Sequence, residues 1–112
     1  VAGNGFYTID VLEKLSASGD AYRNFKLLVS VGNHLLFLTG LFPDFVKHRE
    51  NRRGAPGLRY YEDFGRSSYL NASRHPVADE FDMRPICACL AEHFCETRRV
   101  LNDVAEKILF LN

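Results

Sequence analysis

The sequence predicts an all-α protein, a compact bundle of four to six helices built by a single domain. Two observations carry this reading. Apolar residues recur at steps of three and four over at least three segments, and no segment shows the strict apolar–polar alternation of a half-buried strand. A third observation supports them: all four prolines fall between the periodic segments, where each stops one helix or opens the next.

The first expected helix begins at Thr8, whose hydroxyl suits a cap, and ends at Gly19. Asp10 favours the positive end of its dipole, and Tyr7 and Leu12 stand where a hydrophobic staple forms. Ile9, Leu12 and Leu15 give it one apolar stripe. Asp20 caps a second, longer helix that reaches Leu41. Its apolar residues nearly encircle it, so it belongs at the centre of a bundle or at a subunit contact. Gly32 and Gly40 each cost that helix about 1 kcal/mol relative to Ala, which close approach of another helix offsets.

Pro43 restricts Phe42 and suits the first turn of a short helix, Pro43 to Arg53, with Phe45 and Val46 facing inward and Gly54 closing it. Leu58 to Ser73 forms the next helix. Leu58, Tyr61, Gly65, Ser68, Tyr69 and Ala72 share one face of it. Val77, Ala78 and Phe81 mark a short helix after His75-Pro76. The last helix runs unbroken from Pro85 to Leu111, with Ile86, Leu90, Phe94, Thr97, Leu101, Val104, Ala105, Ile108 and Leu111 recurring at steps of three or four as its buried side. The Asp20–Leu41 and Pro85–Leu111 helices are expected at the centre.

Composition narrows the function classes. A chain of 112 residues with 46% hydrophobic and 25% charged residues is globular and long enough for a real core. Fourteen basic and fourteen acidic residues cancel, so there is no long-range pull toward nucleic acid or an anionic membrane, and little repulsion between copies. The longest apolar stretch, Leu27 to Phe42, is shorter than the roughly 20 residues that span a bilayer. Cys87, Cys89 and Cys95 are odd in number and clustered, which is no disulfide framework. Free thiols and the lack of a visible signal peptide lead to the expectation of a cytoplasmic setting. The opening at Val1, without Met, leads to the expectation of a fragment of a longer protein.

Four constellations hold residues of chemical interest. Cys89 and His93 lie four apart on one helix face and could share a metal, but two ligands make no zinc site, and buried cysteine behaves as a small hydrophobe. No metal or other cofactor is therefore expected. Lys47-His48-Arg49-Glu50-Asn51-Arg52-Arg53 is basic. It could meet phosphates or an acidic partner; the simpler reading is a solvated helix end that complements its dipole. The segment Tyr60 to Tyr69 is dense in aromatic and hydrogen-bonding groups, as interface hot spots are, though packing explains half-buried tyrosines too. Asn33-His34 interrupts the apolar helix and must find partners if buried; fixing helix register is its simplest use.

The stretches GNHLLFLTGLFPDFV, RRGAPGLRYYEDFGRSSYLNAS and LAEHFCETRRVLNDVAEKIL resemble a group of bacterial all-helical proteins of unknown function. Gly32, Leu36, Phe37, Gly40, Phe42-Pro43, Tyr60-Tyr61, Gly65 and Tyr69 carry the resemblance, which runs from Leu28 onward. It implies helical organisation and a longer N-terminus, and no activity.

No paired carboxylates, phosphate loop or triad points to catalysis. The expected function is thus a non-catalytic interaction module that forms a homodimer through Leu27, Val31, Leu35 and Leu38, or meets the rest of a longer protein there. The alternative is a small-ligand or regulatory domain with its pocket beside Tyr60, Tyr61, Arg66, Ser68 and Tyr69, near Arg52 and Arg53. Neither nucleic acid nor membrane is expected as a partner.

Overall fold

A computed structural model of the chain describes residues 20–54 and 56–108. The expected helix from Thr8 to Gly19, and Leu111, lie outside the described residues. Within them the chain is an all-α bundle of six helices: α1 Ala21–Leu41, α2 Pro43–Arg53, α3 Leu58–Ser73, α4 Pro76–Glu80, α5 Arg84–Glu92 and α6 Phe94–Ile108.

The helix ends follow local chemistry. Asp20 Oδ1 accepts the Arg23 amide at 3.1 Å and opens α1. Pro43 cannot continue α1, so α2 leaves it at 88°, with Pro43 in its first turn. Gly54 ends α2 in the left-handed region (φ 64°), where a side chain is strained. His75 Nδ1 accepts the Val77 amide at 3.2 Å and starts α4.

Packing is organised by α3, which runs antiparallel to α1 and is covered on another side by α5. Tyr69 of α3 is wholly buried, and its ring lies on Gly32 of α1: a Cβ there would come within 2.7 Å of it. Phe94 seats on Gly65 in the same way, where a Cβ would meet the ring at 2.5 Å. These small-on-aromatic pairs let the helices approach closely and fill the core with Val31, Leu35, Leu36 and Ala91. A second cluster, of Phe25, Ala72, Val77, Ala78 and Cys87, closes the end where α4 folds back.

Three expectations are corrected. The centre belongs to α1 and α3, with α5 and α6 on the flanks. The final helix is not continuous: it breaks at His93, whose backbone (φ −109°, ψ 26°) leaves helical geometry. The break falls where the packing partner changes, since α5 packs on α3 and α6 mainly on α1. The buried side consequently shifts to Cys87 and Ala91 in α5, and Ile86 is exposed. Finally, Phe45 faces solvent while Val46 beside it is buried, and Val104 and Ile108, expected on the buried side of the last helix, are exposed because α6 meets its neighbours through Phe94, Leu101 and Ala105. No single helix among the described residues is long and apolar enough to cross a membrane.

Candidate interaction surfaces

The tyrosine segment splits into core and surface. Tyr69 belongs to the core. Its hydroxyl donates to Asn33 Oδ1 at 2.6 Å, and burial pushes its pKa up to about 12, so the phenol stays neutral. Asn33 thereby ties α1 to α3, although Asn33 and His34 both lie on the exposed side of α1 and not in a buried setting. Ser68 is also buried, and its hydroxyl donates to the Phe64 carbonyl at 3.0 Å, so it is no nucleophile. Neither residue can line a pocket, which corrects the expectation of a ligand site containing both. Tyr60 is exposed and sits edge-on to Tyr61 and Phe64, with ring centroids 5.5 and 6.0 Å away. Tyr61 is half-buried; burial raises its pKa, opposed by the nearby Arg49.

Space beside Tyr61 amounts to about 10 Å³, enclosed by Leu38, Phe45, Val46, Arg49 and Pro56, so this side is sealed. Arg66 points elsewhere. It pairs with Asp63 at 3.6 Å and, with Ser67, Leu70, Ala88, Ala91 and Glu92, lines an open groove of about 450 Å³ between α3 and α5. Arg52 is exposed on α2; the Arg53 side chain lies outside the described residues.

Of the residues expected at a dimer contact, Val31 (1% exposed) and Leu35 (4%) are covered within the chain by α3 and α6. Leu27 and Leu38 are half-buried, Leu38 against Val46 and Tyr61. The apolar belt of α1 is thus largely used up by its own bundle, because α3 approaches closely over the glycines.

Cys89 and His93 are both exposed, and His93 Nδ1 lies 3.1 Å from Glu96 Oε1. No group of three or more His, Cys, Asp or Glu side chains that could hold a metal occurs among the described residues. Burial raises the pKa of Cys87. It also raises that of Cys95, with a further contribution from Glu62, so both stay protonated thiols near neutral pH.

Two features escaped sequence reasoning. One is a polar clamp. The Arg98 guanidinium donates to Glu62 of α3, with only 12% and 15% of the two side chains exposed, and to Asn102 Oδ1 at 2.9 Å. The Asn102 amide donates in turn to the carbonyls of Thr39 and Gly40 at the end of α1. Three helices are tied by partners 36 and more residues apart, a separation no local pattern reveals. Its charges and donors are matched internally, which describes a register lock and leaves no free group for chemistry.

The other is an exposed apolar face. Arg98 turns toward α3, and Val100, two residues on, lies about 200° round α6 and faces away. By the same geometry Phe37 faces away from α3, because Leu35 faces it. Val100 (60% exposed), Val104 (40%) and Ile108 (71%) follow at steps of four along one side of α6, and Phe37 (52%) is exposed on α1, which Leu101 on Gly40 holds against α6. The signal in sequence was the four-residue spacing of Val100, Val104 and Ile108, which extends the apolar side of α6 beyond what one neighbour covers. Comparison with protein-family models, curated proteins and solved structures gave no match to this chain.

Proposed function

We propose that this chain is a non-catalytic helical interaction module that self-associates through the outer α1–α6 face. One observation carries the reading: four large apolar side chains on adjacent helices stand in water beside a core that is already closed. An exposed apolar stripe such as Val100, Val104 and Ile108, at four-residue steps on one helix, marks association sites. Burying one such side chain contributes about 1.5–3 kcal/mol, and association costs several, so a pairing in the micromolar range is expected. A two-fold pairing of identical faces is the simplest closed arrangement. The resemblance to bacterial helical proteins and the three free thiols support placing the module in a reducing, cytoplasmic setting.

Sedimentation at tens of micromolar tests this. Twice the chain mass of 12.8 kDa is expected, falling to one chain mass in Val100→Glu with Val104→Glu while helicity is unchanged. A wild-type monomer at that concentration overturns the self-association.

The α3–α5 groove favours a second reading, a small-ligand or regulatory domain, since Asp63, Arg66 and Glu92 converge on it. A ligand whose stabilising effect on melting is lost in Arg66→Ala would move weight to that reading.

A further inference from the structure

The exposed cations differ in whether the fold answers them. Arg66 and Arg84 each pair with an aspartate, and Arg98 pairs with Glu62. Among the described residues, no carboxylate lies within ion-pair distance of Lys47, Arg49, Arg52 or Arg59; Arg23, Lys26, Arg74, Arg99 and Lys107 are unpaired too, but only the first four gather at one end of the bundle beside exposed aromatic rings. All four sit on α2 or the first turn of α3. Asp44, at the start of α2, suits the helix dipole, and the Glu50 carboxylate is turned against Gly57, so neither local acid answers them. Phe45, Arg49 and Arg52 follow at steps of four and three along one face of α2, and the Arg49 guanidinium stacks on the Phe45 ring at 5.6 Å. Arg49 also reaches toward Tyr61, which brings the aromatic edge of Tyr60 and Tyr61 beside that face. Phe42 and Phe45 remain about half exposed at the elbow.

We infer that this end of the bundle docks an acidic segment of a partner protein that also carries apolar side chains. The cations supply charge complementarity that nothing in the fold takes up, and Phe42, Phe45 and Tyr60 supply apolar area for the partner's hydrophobic residues. The floor beneath Tyr61 is sealed, whereas Phe42, Phe45 and Lys47 line a depression of about 490 Å³ against Asn102, Ala105 and Glu106 of α6, which can seat an apolar side chain of the segment. The patch suits a short acidic segment better than a duplex: α2 has 11 residues and is about 16 Å long, and the net charge of the chain is zero. This surface lies on α2 and α3, bordered by Asn102, Ala105 and Glu106 of α6, and does not include Val100, Val104 or Ile108.

The test is fluorescence anisotropy of the whole chain with a labelled peptide in which Asp and Glu alternate with Phe and Leu. Saturable binding is expected, weakening as salt screens the charges. Arg52→Glu with Arg59→Glu, two exposed positions, should reduce affinity about tenfold or more and should gain binding to the same peptide with Lys in place of its acids. Val100→Glu with Val104→Glu should bind the acidic peptide as the wild type does, which separates this surface from self-association. No saturable binding at low salt, or equal binding by the arginine variant, overturns the inference. So does tighter, arginine-dependent binding to duplex DNA or to phosphatidylserine vesicles, which would make the patch a reader of phosphates.

Discussion

The junction of α1, α3 and α6 and the α2 end of the bundle use the same residue types to opposite ends. At the junction, an arginine is matched by a buried glutamate and an asparagine, and tyrosine and phenylalanine lie on glycines without space for water. At the α2 end, arginines face solvent without acidic partners, and phenylalanines are half exposed around one buried valine, Val46. An arginine or an aromatic ring does not by itself say core or interface. What decides is whether a neighbouring helix brings a partner of matching shape or charge. The first region should set stability and the second should leave it nearly untouched.

Tyr69→Ala should have the largest effect. It removes a wholly buried ring and leaves a cavity against Gly32, costing about 4 kcal/mol. Urea unfolding that shifts by less than 1 kcal/mol would show that this junction is loosely packed. Next is Arg98→Ala, which strands Glu62 with little exposure and should cost about 3 kcal/mol. Replacing Arg98 and Glu62 together by Met and Leu should recover most of that loss. A double variant as unstable as the single one would mean that the clamp does more than neutralise charge.

Alkaline pH probes the same core. The pKa of Tyr69 is about 12 in the folded chain against 10 for a free phenol, so above pH 10 the unfolded chain releases a proton that the folded one retains. The Tyr69 contribution should be full below pH 10 and be lost, by roughly 2–3 kcal/mol, as pH rises through 12, at about 1.4 kcal/mol per unit; it adds to an earlier decline from Cys87 and Cys95, whose thiol pKa values burial also raises. In Tyr69→Phe, chemical denaturation measured across that window should show a markedly flatter decline. Smallest is Arg52→Ala at the α2 end, expected within about 0.5 kcal/mol of wild type because the side chain is exposed and forms no ion pair among the described residues. A loss above 1 kcal/mol would break the contrast and give Arg52 a structural partner.

Much of the organisation was legible in the residues themselves. Asp20, Pro43, Gly54 and Pro76 mark helix ends through capping and ring chemistry, which act within a few residues of chain. The shared face of Tyr61, Gly65, Ser68, Tyr69 and Ala72 followed from helical period, and the structure turns it inward as a half-buried to buried stripe. The dimer residues Val31 and Leu35 were read correctly as apolar and wrongly as needing a second chain. Their period says that they are buried, and says nothing of what buries them.

Local chemistry along the sequence thus determined which segments are helices, where most of them end and which side of α3 is apolar. Only the tertiary structure decided that the last helix breaks at His93, that Arg98 meets Glu62, and that Val100, Val104 and Ile108 stay in water while Leu101 does not. The physical reason is range. Capping and periodicity are set by neighbours within one or two turns, whereas coverage and charge pairing depend on which distant helix arrives, and the glycines at 32, 40 and 65 allow α1, α3 and α6 to arrive closely enough to choose.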